Sequence, residues 1–186
     1  MSNSKSISGK DGWKKLRLAS LCVCLLATMS LSNCSSYQAA SDGGPSAIEW
    51  KKGIKGAWAL MRIEKANFAT EYTVKSLFEE APPECFLESI WNLPSSGMGY
   101  IKFTSEGRLC APGAVRNIQW NIVRAPNTGT SQFQLKKIYP GDNPKHVLTV
   151  YPLDMAYADE ENMRMVMNVP LASGTGKLIF HFKRLQ

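Results

Sequence analysis

KLIFHFKRL, residues 177–185, is the run from which the fold is read. Leu178, Phe180 and Phe182 alternate with Ile179, His181 and Lys183. An apolar residue at every second position marks a β-strand with one buried face, because successive side chains leave a strand on opposite sides. The same period recurs towards the N-terminus. Asn162–Val169 sets Met163, Met165, Met167 and Val169 against Arg164, Val166 and Asn168. Ser131–Tyr139 sets Phe133 and Leu135 against Gln132, Gln134 and Lys136. Val115–Val123 sets Ile118, Trp120 and Ile122 against Asn117, Gln119 and Asn121. A first strand opens at Gly56–Glu64, and shorter ones fit Phe86–Leu93, Tyr100–Thr104 and His146–Met155.

These runs make eight strands. Turns rich in Gly, Pro, Asn and Asp fall at 94–99, 105–113, 125–130, 140–144, 157–161 and 170–176. Those residues supply turn dihedrals. Short connections make sequence neighbours pair antiparallel. The longer connection, Ala66–Glu84, has Thr73, Val74, Leu77 and Phe78 at helical spacing before Pro82–Pro83. It predicts a short helix, or a lid, over one barrel opening. The expected fold is all-β: an eight-stranded antiparallel up-and-down barrel with a short helix or lid between strands 1 and 2. Closing the sheet removes its edges, and eight strands enclose a space that side chains fill or that holds one small ligand.

Residues 1–33 read differently. Lys10, Lys14, Lys15 and Arg17 precede an apolar run from Leu16 to Leu31 that carries no charge after Arg17. A basic start followed by such a run is a secretory signal. It is shorter than the ~20 residues of a membrane-spanning helix. It ends in Leu31-Ser32-Asn33-Cys34, which resembles the site read by the lipoprotein-processing peptidase, apart from Asn33, where Gly, Ala or Ser is usual. Residues 1–33 are therefore expected to be a lipoprotein signal peptide, with Cys34 the lipidated residue. Residues 34–53 would follow as a flexible tether, with a short helical turn within 46–55, and 54–186 as the barrel domain. The alternative is an ordinary secreted protein cut near Ala27 or Ser32. Ser35 and Ser36 lack the acidic residue that retains some lipoproteins on the inner membrane, so the outer membrane of the cell envelope is favoured.

Cysteine usage and charge agree with export. With Cys22 and Cys24 in the signal and Cys34 acylated, Cys85 and Cys110 remain. An even pair in an exported domain reads as a disulfide, with two reduced thiols as the alternative. The chain has 22 Lys and Arg against 15 Asp and Glu; removing the five and one in residues 1–33 leaves 17 against 14, a balance of +3. That is an ordinary surface, and no nucleic-acid partner is implied.

Gly56-Ala57-Trp58 opens the first strand. With FEEAPPECFLESIWNL (78–93), VRNIQW (115–120) and FQLKKIYPG (133–141), it resembles the lipocalin-like lipoproteins of bacteria over most of residues 54–185. The resemblance implies a barrel whose first-strand tryptophan, Trp58, packs at the closed end under a basic side chain from the chain's end, Arg184 or Lys183. It also implies a cysteine before the second strand and another before the fourth, matching Cys85 and Cys110. Those proteins share no settled ligand.

The inward apolar rows supply cavity-lining candidates: Trp91, Phe103, Ile118, Trp120, Phe133, Met163, Met165, Met167 and Phe180. Aromatic walls and adaptable methionines suit an apolar or amphipathic small molecule. A filled barrel that docks an envelope protein partner is the alternative. Catalysis is not expected. His146 and His181 are the only histidines, and no Gly-x-Ser-x-Gly elbow is present. The carboxylates of Glu79, Glu80, Glu84 and Glu88, and of Asp159, Glu160 and Glu161, fit solvated loops better than acid–base or calcium sites. No Cys/His spacing suggests a metal, and no cofactor is implied. Gly174-Thr175-Gly176-Lys177 lacks the remaining residues of a phosphate loop and reads as a hairpin turn.

Overall fold

The computed structural model describes residues 44–172 and 174–186. The expected signal peptide, Cys34 and most of the tether lie outside the described residues. Eight strands form a closed barrel in the order β1-β2-β3-β4-β5-β6-β7-β8, every neighbouring pair antiparallel. They are β1 (Gly56–Ala66), β2 (Ile90–Leu93), β3 (Met98–Lys102), β4 (Val115–Arg124), β5 (Ser131–Ile138), β6 (Tyr151–Ala158), β7 (Asn162–Leu171) and β8 (Gly174–Arg184).

The barrel has a lower end, where β1 starts and β8 finishes, and an upper end, where β4 starts and β5 finishes. A helix, α1 (Ala47–Gly53), covers the lower end. Ser46 caps it: its hydroxyl accepts from the Glu49 amide, while the Glu49 carboxylate accepts from the Ser46 amide. Reciprocal caps satisfy donors that a helix N-terminus leaves unpaired. Trp50 is the helix's buried residue, so the folded part of the chain begins before the first strand.

The short helix between strands 1 and 2 is a single 3-10 turn, Pro83–Phe86, which starts after Pro82. Residues 73–78 carry no helix, in contrast to their spacing. Thr73 and Val74 are β-branched and lose rotamer freedom in a helix. Leu77 and Phe78 enter the core, and Val74 only packs against it. The Cys85–Cys110 disulfide ties this turn to the β3–β4 connection.

Three boundaries shift for related reasons. β2 begins at Ile90, because Phe86 ends the 3-10 turn and Leu87–Ser89 turn the chain before the strand, with Glu88 at φ +62°. β6 begins at Tyr151 rather than at His146; its pairing with β5 starts at Leu135–Tyr151. Gly174–Lys177, expected as a turn, lies in β8: Val169–Gly176, Pro170–Thr175 and Leu171–Gly174 continue the ladder with β7. Gly176 lies close under Phe68 there: a Cβ would sit 2.7 Å from its ring, so the ring would have to shift.

β1 is unevenly partnered. Gly56–Ala59 pair with β2, but from Arg62 to Ala66 the strand pairs with β8 alone. Beside this upper half of β1, the connection 67–81 runs over the upper end.

Candidate functional site

The inward face of each strand converges on an apolar interior. Trp91, Ile118, Phe133, Met163, Met165 and Phe180 are fully buried, and Trp120 and Phe103 nearly so. Met167 is half-buried towards the upper end. All nine cavity candidates therefore belong to the interior or its rim. The rings interlock: Trp120 stacks on Phe133 at 5.7 Å, Trp91 meets Phe182 edge-on at 5.1 Å, and Phe86 meets Phe103 at 5.0 Å. Offset and edge-on contacts of this kind add to what area burial alone contributes.

At the lower end Trp58 is fully buried and donates from its indole nitrogen to the Ile54 carbonyl at 2.7 Å. The Arg184 guanidinium lies 4.2 Å from the centre of its ring. Arg184 also donates to the carbonyls of Lys55, Gly53 and Glu160, at 2.6, 2.7 and 2.5 Å. Gly56 leaves room for this arginine: with φ at +120°, a Cβ there would stand 2.9 Å from Nη1. The lower end is locked by α1, Trp58 and Arg184 together.

The upper end is closed differently. Leu77–Ala81 form a tight turn, with the Leu77 amide donating to Ala81 O and the Glu80 amide to Leu77 O. It inserts Leu77 and Phe78 into the barrel, leaving them 1% and 4% exposed. The Phe78 ring lies 6.0 Å from Trp91, 6.0 Å from Phe180, 5.4 Å from Phe86 and 5.5 Å from Tyr151. Phe78 and Glu79 hold left-handed backbone, φ +53° and +52°. L-residues with side chains enter that region at a cost of ~1–3 kcal/mol each, which surrounding contacts must offset.

The ion pairs that seat this plug involve residues not anticipated from sequence. Arg116 occupies the inward row of β4, two residues before Ile118, and Lys137 the inward row of β5, two after Leu135. Glu80 meets both: Arg116 Nη2 donates to its Oε1 at 2.7 Å, Arg116 Nε reaches both oxygens at 3.2 Å, and Lys137 Nζ reaches Oε2 at 3.3 Å. Lys137 also donates to the Glu79 carbonyl at 3.1 Å, and the Tyr151 hydroxyl to the Glu79 carboxylate at 3.1 Å. The Arg116 guanidinium lies 4.2 Å from the centre of the Tyr139 ring. Burial pushes the Glu80 carboxyl up, but Arg116 and Lys137 outweigh it and hold the group below its ordinary value. The period-two parity of Arg116 and Lys137 was the available signal, since each continues an apolar row.

The interior is nearly solid. The void beneath the plug, touching Phe78, Phe86, Phe103 and Arg116, is about 10 Å³. A cleft of about 570 Å³ runs outside it, between residues 72–77 and upper β7, and reaches the half-buried Met167 and the buried Leu178.

The histidines do not form a site. His181 faces outward from β8 beside Arg62 at 3.2 Å and Glu64 at 3.3 Å, and His146 lies exposed in a turn. Burial and the neighbouring Arg62 charge push the His181 ring below its ordinary pKa. Asp159 serves its own turn, accepting from the Tyr157 hydroxyl and the Glu161 and Asn162 amides. Among the described residues no cluster of His, Cys, Asp and Glu could hold a metal ion, and no helix is long and apolar enough to cross a membrane. Comparison of the chain with protein-family models, curated proteins and solved structures finds no match.

Proposed function

We propose that this chain is a lipid-anchored, lipocalin-like envelope protein whose barrel takes up a small apolar or amphipathic molecule at its upper end, where Leu77 and Phe78 now sit. Phe78 carries this reading. It is an aromatic side chain delivered from a connection, not a strand, into the centre of an aromatic cluster. It holds a backbone conformation that side chains rarely adopt. Strain of this sort gathers at ligand clamps and switch segments. Drug-sized ligands occupy pockets of about 300–1,000 Å³. The 10 Å³ void has room for about one water, so a ligand requires the plug to withdraw. The cleft between residues 72–77 and β7 touches Leu77, one of the two plug side chains.

Envelope attachment rests on the signal-like residues 1–33 and Cys34. The disulfide is consistent with an oxidising compartment. Metabolic labelling with a radioactive fatty acid tests the anchor: label should enter the wild-type chain and be absent from C34A.

Native mass spectrometry of the chain released from membranes tests the binding. A bound small-molecule mass supports uptake; an empty barrel whose Phe78→Ala variant also takes up no apolar probe rejects it. The small void favours a second reading, a filled barrel that docks an envelope protein partner. A stoichiometric protein recovered with the anchored chain, beside a ligand-free barrel, would select it.

A further inference from the structure

We propose that Arg116 and Lys137 are the head-group seat for a carboxylate-bearing amphiphile, and that Glu80 occupies that seat as a built-in mimic when the barrel is empty. This inference rests on the binding reading above and names the ligand's chemistry.

Two cations point into an otherwise apolar barrel at its upper rim, their side chains only 21% and 11% exposed. A poorly solvated cation needs an anionic or strongly polar partner, so any ligand that displaces the plug must replace Glu80's charge. The seat is also shaped. Arg116 presents two nitrogens to one carboxylate, and a planar guanidinium fork matches a planar two-oxygen acceptor. Tyr139 braces it from the side, with the guanidinium 4.2 Å from its ring centre.

Glu80 follows Phe78 by two residues, so one short turn delivers an aromatic body to the cluster and a carboxylate to the cations. That is the layout of an amphiphile with an apolar tail and an anionic head. The plug competes intramolecularly, at high effective concentration, and so sets a threshold for the external ligand.

The experiment uses the full-length chain, with tryptophan fluorescence as the readout, since Trp91 adjoins Phe78. Laurate, dodecanol and dodecyl phosphate are titrated against wild type, E80Q, R116K and R116Q/K137Q. Laurate should bind wild type at least tenfold tighter than dodecanol. E80Q should tighten laurate and dodecanol alike, at least fivefold, because it weakens the plug that both must displace, and should keep laurate's preference over dodecanol. R116Q/K137Q should reduce laurate to the affinity of dodecanol. Should that double variant not fold, R116K keeps the charge, loses the fork, and should narrow laurate's preference over dodecanol at least threefold. Equal binding of laurate and dodecanol in wild type and E80Q overturns the head-group seat and leaves the barrel's apolar site standing. Tighter binding of dodecyl phosphate than of laurate overturns the carboxylate assignment. If no probe binds either wild type or F78A, the binding reading itself falls, and this inference with it.

Discussion

Arg184 shows how one side chain at the chain's end closes the barrel. It covers Trp58 and donates to three carbonyls, including that of Gly53 at the end of α1 and that of Lys55 just before β1. Arg184→Met keeps the aliphatic length and removes these interactions. It should lower stability by about 1–3 kcal/mol, given what cation–π contacts and charged hydrogen bonds contribute at a partly solvated site. Urea unfolding followed by tryptophan emission measures this. Gly56→Ala should cost a similar amount, about 1–3 kcal/mol, because it combines strained φ with a clash against the same arginine. At the other kind of residue, Asp159, the turn is written in a titration. The Tyr157 hydroxyl and two backbone amides hold its pKa at about 2, below the usual 3.8. A depressed folded-state value stabilises the protein above the unfolded value and loses that effect as pH falls through the folded one. The β6–β7 turn should therefore hold its native chemical shifts down to about pH 2, with Asp159 as the reporter by carbon-detected NMR.

Among the elements, the Leu77–Ala81 plug stands apart from the strands it closes. Its backbone joins no strand ladder: Leu77–Ala81 is an isolated bridge, supplemented by the Glu80 amide bonded to Leu77 O and by Lys137 on the Glu79 carbonyl. Leu77 and Phe78 are buried and Glu80 is paired. Segments with few ladder bonds open more readily than core strands. Amide exchange at residues 77–81 should accordingly be faster than in β7 and β8, and E80Q should accelerate it further without altering those strands. Acid should act in the same sense. Glu80 titrates below the ordinary carboxylate value because Arg116 and Lys137 overcome its burial. The ion pair therefore contributes fully above that ordinary value and is lost as pH falls through the lowered one. A change in tryptophan emission at acid pH, abolished in E80Q, is the expected outcome; an identical transition in E80Q would show that another group is titrating. At this scale, too, the sequence misleads. Helical spacing at Thr73, Val74, Leu77 and Phe78 describes four residues of which Leu77 and Phe78 alone are buried. The local pattern counted apolar residues without knowing where the core lay.

For the whole molecule, the disulfide joins the plug's downstream neighbour, the 3-10 turn, to the β3–β4 connection. Twenty-four residues lie between Cys85 and Cys110. Closing a loop of that size stabilises by about 3 kcal/mol in the chain-entropy account. Replacing both cysteines by alanine should lower the unfolding free energy by roughly that amount and leave the strand content unchanged by circular dichroism. Non-reduced peptide mapping should find the two linked. By itself, the sequence determined the barrel. β4, β5, β7 and β8 each have one dry face and one wet one, and alternation is the direct imprint of that boundary on the chain. It also determined that the strands follow one another in order, because connections this short leave little alternative, and it marked the buried tryptophans, phenylalanines and methionines. Tertiary structure alone decided what closes the upper end. Arg116 and Lys137 have the parity of inward residues and the charge of outward ones. What resolves the conflict is a carboxylate 36 residues away from Arg116 in sequence, brought across the barrel mouth by a turn that no local period describes. Periodicity records which side of a strand is dry; it holds no record of a distant partner that makes a buried charge tolerable.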